Sequence, residues 1–230
     1  MRNYLSYGGG VNSVAMLLFL QDEGVEFESI YVDHGCDWPE TREYNRMMLD
    51  KGYKITTVPA PGLWEKMWKY RMVPSMQRRW CTADFKVKPI AKYVEIPCFM
   101  MFGISSDEAH RAKMQYEDGI ERRFPLIERE IDREGCKLVI LKHGLPLPIK
   151  SGCWFCPMQR AAQWRLLRKR HPDLFCKAKR LEGRNIEYRK SKGKAPLYLS
   201  AGKRSLDDIV DENQDELFEE FAYPPCHCEL

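Results

Sequence analysis

Short apolar runs alternate with amphipathic stretches through the first hundred residues. Asn3-Tyr4-Leu5 is able to be a strand, and Val14-Ala15-Met16-Leu17-Leu18-Phe19-Leu20 has the length and composition of a buried helix, closed by Gly24. Ser29 to Asp33 reads as a buried second strand. Pro39-Glu40-Thr41 opens a helix that runs to about Lys51, with proline in its first turn and Gly52 beyond its end. Lys54 to Val58 is a third strand, and the continuous apolar run Cys98 to Ile104 is a central one. Strand–helix–strand–helix–strand in this order predicts a parallel sheet with crossover helices.

Further along, Asp132 to His143, ended by Gly144, predicts a helix, as do Gln159 to His171 and Pro172 to Gly183. Residues 184–205 read as a basic loop, and Leu206, Ile209, Val210, Leu217, Phe218 and Phe221 as one last amphipathic helix. There are no internal repeats or low-complexity segments. The expectation is an α/β fold, a doubly wound and mostly parallel sheet, with a helical C-terminal part. The expected division is an α/β region over 1–150 and a helical region over 151–230.

Between the first strand and the first helix lies Ser6-Tyr7-Gly8-Gly9-Gly10-Val11-Asn12-Ser13. Strand, glycine-rich turn, helix is the geometry that gathers backbone N–H groups around an anion. Gly8, Gly9 and Gly10 let phosphate oxygens approach the main chain with no Cβ in the way. Ser13 either caps the helix or bonds a phosphate oxygen. A plain structural turn is the competing reading. The loop lacks the Lys-Ser/Thr ending of a P-loop and the spacing of a dinucleotide fingerprint. It falls at the carboxyl end of its strand, as does Asp33, where open α/β sheets bind ligands.

Composition places the chain among globular proteins, with 44% hydrophobic and 30% charged residues. No apolar run reaches the ~18–20 residues that span a bilayer, and the chain enters a strand at once, so neither a membrane segment nor a secretory leader is expected. Nine cysteines in such a chain point to thiol, metal or redox chemistry and a cytoplasmic setting. The net charge of +4 hides an asymmetry. Residues 160–204 hold fifteen Lys/Arg against three acids, and Asp207 to Glu220 holds eight acids and no base. Two solvated helix faces are one explanation. The other is a polyanion-binding surface with Trp164, Tyr188 and Tyr198 interleaved among the cations.

Lys150-Ser151-Gly152-Cys153-Trp154-Phe155-Cys156-Pro157 contains a Cys-x-x-Cys, which serves as a redox pair, a zinc site or an iron–sulfur site. It lies between helices, and Trp154, Phe155, Pro157 and Met158 give it the apolar jacket of a shielded cluster. Cys36, Cys98 and Cys136 read as buried or incidental, and His34 as a bystander.

Taken in order over about residues 3–157, these segments resemble the phosphoadenosine phosphosulfate (PAPS) reductase-like branch of the PP-loop, or adenine nucleotide alpha-hydrolase, superfamily. Gly9, Gly10 and Ser13 match its Ser-Gly-Gly-x-Asp-Ser loop. Gly8, Val11 and Asn12 stand where relatives carry Ser, Lys and an Asp that organises Mg²⁺ and pyrophosphate. Asp33-His34-Gly35 with Pro39-Glu40-Thr41 is similar to the Asp-Thr-Gly turn and Pro-Glu-Thr of reductases. Arg78-Arg79-Trp80-Cys81 through Lys86-Val87-Lys88-Pro89 is similar to the segment beside the nucleotide's phosphates. Glu108 and Arg111 occupy the place of a Glu-x-x-Arg element, and Phe124-Pro125-Leu126-Ile127 that of a short strand.

The resemblance implies cofactor-binding roles for Gly8, Gly9, Gly10, Ser13, Asp33, Arg79, Lys86, Glu108 and Arg111, and catalytic ones for Asn12, Ser13, Lys86 and Cys228. It implies a 4Fe–4S cluster on Cys81, Cys153 and Cys156, with zinc as the alternative. The fourth position is either open or filled by Cys176, Cys226 or Cys228. Three activities are compatible with it. One is ATP-dependent, pyrophosphate-releasing sulfur transfer to tRNA or DNA, with Mg²⁺ and a sulfur-donor protein. Another is PAPS reduction by a cysteine nucleophile, for which the tail cysteines are candidates. The last is nucleotide or nucleic-acid binding without catalysis.

Overall fold

A computed structural model of the chain describes residues 1–112, 119–149, 151–200 and 204–211. Five strands form one sheet: β1 (Arg2–Ser6), β2 (Glu28–Asp33), β3 (Ile55–Pro59), β4 (Cys98–Phe102) and β5 (Ile120–Arg123). Their order is β3-β2-β1-β4-β5 and every pairing is parallel. Ser6 at the end of β1 is level with Ile30 on one side and Phe102 on the other. The chain winds outward from β1 through β2 to β3, then returns to β1's other edge with β4. The reversal leaves a crevice at the carboxyl ends of β1 and β4, where doubly wound sheets bind ligands.

Helices cover both faces. The first, α1 (Val11–Asp22), is apolar almost all round, and accordingly nearly all of its residues are buried. Beside it lie α2 (Pro39–Asp50) and, later, α7 (Arg133–Lys142), whose N-cap Asp132 accepts the Gly135 N–H at 2.7 Å. Between α2 and α7 come α3 (Leu63–Tyr70), α4 (Trp80–Thr82), a π-helical turn over Ala83–Val87, α5 (Lys88–Tyr93), a 3₁₀ turn over Ser106–Arg111 and α6 (Pro125–Glu128). Leu5, Leu17, Met48, Met101 and Ile140 fill one face of the sheet. Tyr4, Ile30, Met100, Ile90 and Val94 fill the other.

A second core gathers Trp38, Leu63, Met67, Phe155, Trp164 and Leu181. It joins the loop after β2 and α3 to α8 (Ala161–Arg170), α9 (Pro172–Ser191) and α10 (Leu206–Asp211). No helix among the described residues is long and apolar enough to cross a membrane.

The architecture is the expected α/β, doubly wound, parallel one. Three local readings are corrected. The strand expected at Phe124–Ile127 is the short helix α6, because Pro125 fits a first helical turn; the neighbouring strand is β5. The helix expected to stop at Gly183 runs on to Ser191, since a lone glycine costs a helix only about 1 kcal/mol. The aromatic residues of the basic segment are largely spent on the fold. Trp164 is fully buried, and the Tyr188 ring carries Arg71 at 5.4 Å. Leu217, Phe218 and Phe221, with most of the acidic stretch, lie outside the described residues.

Glu182, counted in the sequence among the charges of a surface, is a buried staple. Its carboxylate accepts the backbone N–H groups of Leu199 (2.7 Å) and Leu206 (3.0 Å), tying the chain beyond α9 back onto the helix. Burial raises its pKa above the ordinary 4.5, against the pull of those two N–H groups. A raised folded-state value means the native chain holds a proton that the unfolded chain has released. The stability Glu182 contributes is therefore fully present below the unfolded value and falls as pH rises through the folded one. Urea midpoints of wild type and Glu182→Gln, compared from about pH 4 to pH 7, should show this decline in the wild type and a flatter profile in the variant. Parallel profiles would reject it.

Candidate functional site

The glycine loop sits in the switch-point crevice and is held by what presses on it. Gly9 has φ +69°, and a Cβ there would come within 2.7 Å of Asn45 Oδ1. A Cβ on Gly10 would meet Ser151 Oγ at 2.6 Å, and one on Gly103, just past β4, would meet Ser13 N and Cα at 2.9 Å. Ser13 Oγ accepts the N–H groups of Gly8 (3.2 Å) and Gly10 (3.1 Å) and donates to Gly10 O (3.1 Å). The hydroxyl thus stands where an anion's oxygen would stand, as a cap. Next to Gly9, both polar atoms of the Asn45 amide are buried without a partner among the described residues. Unpaired groups of this kind cost about 1–3 kcal/mol each.

Behind the loop, Asn12 is the centre of a buried network. Its Nδ2 donates to Ser105 Oγ (3.0 Å) and Glu108 Oε2 (3.2 Å), and its Oδ1 accepts from Arg133 Nη1 (3.1 Å). Glu108 is ion-paired to Arg111 at 2.8 Å. In this arrangement both ends of the Asn12 amide are engaged by protein partners. A neutral amide also sits beside the Glu108 carboxylate without the repulsion an aspartate would meet.

The Cys-x-x-Cys docks directly on this loop. Ser151 touches Gly10, and the chain then pairs with the segment after β2. Trp38 N donates to Gly152 O (3.0 Å), Trp154 N donates to Cys36 O (3.1 Å), and Asp37 and Cys153 form an antiparallel bridge. Gln159 braces the turn by donating to Trp154 O and accepting from Trp38 Nε1, both at 3.0 Å. Trp64, Trp154 and Phe155 wrap it, with ring centroids 4.8–6.2 Å apart. The motif therefore lies against the sheet's carboxyl edge.

Cys81, Cys153 and Cys156 line one cavity together with Arg79, Lys86 and His34. The enclosed space is about 30 Å³, room for an ion or a water or two. Burial raises the Cys81 thiol's pKa, while a Thr82 N–H, Lys86 and Arg79 act the other way. The ligand atoms of His34, Asp37 and Cys153 lie within 4.8 Å of one another, and Cys81 and Cys156 do not join that tight set; Asp37 does not line the cavity. Three cysteine sulfurs around an apolar-jacketed cavity are a donor set that fits a transition metal.

The role of His34 follows from its hydrogen bonds. Its Nδ1 accepts the Cys36 N–H at 3.2 Å, so the neutral ring carries its proton on Nε2. Burial, the largest influence, lowers the His34 pKa and favours that neutral ring. Nε2–H faces Cys153 Sγ at 3.6 Å and Asp37 Oδ1 at 3.5 Å. A metal-binding imidazole has the reverse arrangement, donating from its outer nitrogen. So held, His34 is a donor to the sulfur. Tyr31 OH donates to the other Asp37 oxygen at 2.5 Å.

The site residues expected from the sequence thus fall into two adjoining groups. Gly8, Gly9, Gly10, Asn12, Ser13, Glu108 and Arg111 form the loop and its backing; Arg79, Lys86, Cys81, Cys153 and Cys156 form the cavity. Asp33 closes its own turn, accepting the Gly35 N–H at 2.8 Å with Arg42 3.8 Å away. Cys176 is exposed on α9 and does not line the cavity, which removes it as a fourth ligand. Cys36, Cys98 and Cys136 are buried, and burial lifts the Cys36 pKa to about 12. Lys150, Cys226 and Cys228 lie outside the described residues. His34, Asp37, Asn45 and Arg133 were not picked out by sequence reasoning. His34 and Asp37 flank Cys36 in the turn, a His-x-Cys-Asp cluster that was the available signal.

No family model matches the chain. Two proteins of Methanocaldococcus jannaschii, both described as uncharacterized, are similar to it. MJ0066 is 28% identical over 93 residues, 40% of this chain and 19% of that protein. MJ0973 is 22% identical over 190 residues, 75% of this chain and 45% of that protein. The chain therefore spans less than half the length of either relative. A crystal structure described as a predicted subunit of tRNA methyltransferase, from the same organism, overlays with a TM-score of 0.43 at 12% identity. The overlay covers 89% of this chain and 94% of that one. At that score and identity the likeness assigns neither fold nor function.

The contact at Gly103 gives a prediction with an internal control. Its neighbours are backbone atoms that cannot swing aside, so Gly103→Ala should cost about 1–3 kcal/mol by overpacking and displace the first turn of α1. Gly183, in α9 with nothing within 4 Å of its would-be Cβ, should gain about 0.5–1 kcal/mol on the same change. Urea midpoints of the two variants moving in the same direction would refute the placement.

Proposed function

We propose that this chain is a PAPS reductase-like enzyme of the PP-loop type. In this reading it binds the phosphates of an adenine nucleotide in loop 8–13 and holds a metal centre on Cys81, Cys153 and Cys156. The observation that carries the reading is the contact of Ser151 with Gly10, two residues before Cys153. It sets the cysteine cavity beside the anion loop at one sheet edge.

The reaction we favour is ATP-dependent sulfur transfer. An oxygen of the acceptor attacks the α-phosphorus, the bond to pyrophosphate breaks, and a sulfur nucleophile then displaces AMP. In the first step the loop N–H groups take over phosphate oxygens from Ser13 Oγ, stabilising charge with donors already in place. Arg79 and Lys86, in the cavity wall, add positive charge, Arg79 with a bidentate fork. Glu108, Arg111 and Arg133 fix Asn12 and so hold the start of α1 in position. His34 Nε2–H directs a hydrogen bond to Cys153 sulfur. When bound, a 4Fe–4S cluster would supply a site for the sulfur to be transferred. The looseness of the three-cysteine set supports a cluster over a single ion, because a tetrahedral zinc with bonds of ~2.3 Å holds its sulfurs close together.

Two specific observations keep alternatives in the test. The ion-sized space between Cys81, Cys153 and Cys156 favours zinc. The cationic wall beside Cys81 would equally receive a sulfonucleotide, with a cysteine thiolate attacking its sulfur.

Protein purified without oxygen should be brown, absorb near ~400 nm and contain about four irons per chain. Cys81→Ser or Cys153→Ser should remove the colour. Colourless protein with one zinc per chain would replace the cluster by the zinc reading. Incubation with ATP and acceptor should release pyrophosphate; release of sulfite from PAPS would transfer the assignment to the reductase.

Gly10→Val drives a side chain into Ser151 and the anion space, and should reduce nucleotide affinity at least about a hundredfold, a loss of ~3 kcal/mol. Wild-type affinity in a folded Gly10→Val protein would dismiss the loop as the phosphate site.

A further inference from the structure

We propose that a second cavity, on the outer side of the segment carrying Cys81, binds single-stranded nucleic acid by one base and its flanking phosphates. Its volume is about 890 Å³, in the range of a pocket that encloses a small molecule. Arg78, Arg189 and Lys194 line it, and among the described residues no acidic side chain does. Trp80 supplies an aromatic surface, half-buried and braced by Lys66 Nζ 5.1 Å from the ring centroid and by Phe85 edge-on at 6.5 Å. Cations around an indole are what a polynucleotide strand requires: charge for the backbone and a ring on which a base stacks. Arg189 is pre-oriented, since its Nε donates to Ala195 O at 2.6 Å. The cavity lies on the basic segment that continues along α9 through Lys190 and Lys192, so a strand longer than the pocket meets further positive charge.

Asn185 anchors the cavity. It is buried, and its Nδ2 donates to Arg71 O at 2.6 Å, which ties α9, the helix that carries Arg189, to the end of α3.

The position of the cavity relative to the cysteines follows from alternation along one short segment. Arg78 and Trp80 line the outer cavity, Arg79 and Cys81 the inner one, and Ser75 lines both. A base on Trp80 is therefore one residue's thickness from the cysteine cavity. That it is the acceptor of the transferred sulfur rests on the sulfur-transfer reading above; that it binds here does not.

The test is fluorescence anisotropy with the purified full chain and labelled oligonucleotides of about a dozen nucleotides, without added nucleotide. Arg189→Ala and Lys194→Ala should each weaken binding and lower the slope of log affinity against log salt by about 0.7. Trp80→Ala should lose about five- to a hundredfold, and Trp80→Phe should retain most of the affinity. Comparing ribo- with deoxyribo-oligomers identifies which polymer is preferred.

Wild-type affinity and salt slope in the folded Arg189→Ala and Lys194→Ala proteins would overturn the site, as would a preference for acidic peptide over every oligonucleotide. Because these arms read binding alone, their failure leaves the loop and metal reading standing, and failure of the iron and pyrophosphate assays leaves this site standing.

Discussion

Three chain segments meet at the first turn of α1 at distances that forbid a Cβ. Asn45 of α2 lies against Gly9, Ser151 against Gly10, and Gly103 against the backbone of Ser13. The geometry of the candidate site depends on this close approach. It brings the end of β4 against the end of β1, and the Cys-x-x-Cys onto the same crevice. Interiors are packed tightly enough that a single methyl group in such a place is felt. Of the positions involved, Gly9 also carries a positive φ, so there the demand is conformational as well as steric. At Gly10 and Gly103 it is steric alone.

A second dependence is electrostatic. Asn12 joins α1 to the 3₁₀ turn after β4 and to α7 through Ser105, Glu108 and Arg133. The network is buried, so each partner is costly to remove. It also accounts for an amide at this position. Glu108, already paired with Arg111, faces a donor in Nδ2, and Arg133 faces an acceptor in Oδ1. Both needs are met by one neutral group. Among the described residues Glu108 Oε1 and Arg133 Nε in this network lack a partner, as do both polar atoms of Asn45 on the other side of the loop.

Much of the fold was legible because a parallel sheet buries both faces of its strands. Runs such as Ser29–Asp33 and Cys98–Phe102 are apolar without alternation, and proline and glycine punctuate the helices between them. What failed had a weaker physical signal. Phe124–Ile127 is too short for any periodicity, and Gly183 suggested an end that the surrounding helix formers overrode. Basic and aromatic residues in 160–204 looked like one surface, yet Trp164 is core and Glu182 a staple, since charge along a sequence does not say which side faces in. Within the candidate site, cysteines and glycines were readable because their chemistry is rare. His34 was not, because a lone histidine acquires a role only when the chain brings Cys153 to its Nε2 from 119 residues away.

The two cavities share one wall, and that wall explains why the segment from Arg78 to Lys86 is so mixed in character. Its side chains must serve two environments in turn. Those facing the cysteines need thiol and cation together, as Cys81, Arg79 and Lys86 provide. Those facing outward need a cation and a ring, as Arg78 and Trp80 provide. Asp84 would be out of place in either, and it points to neither: Lys66 at 2.6 Å and Lys88 at 2.7 Å neutralise it, holding its pKa below the ordinary carboxylate value. The same Lys66 leans over the Trp80 and Phe85 rings. The π-helical turn at Ala83–Val87 then carries the chain from this wall to α5, under the sheet. Such turns insert one extra residue per turn and re-aim the side chains that follow. Here that places Lys86 in the inner cavity and Ile90 in the core, four residues apart on one short helical stretch.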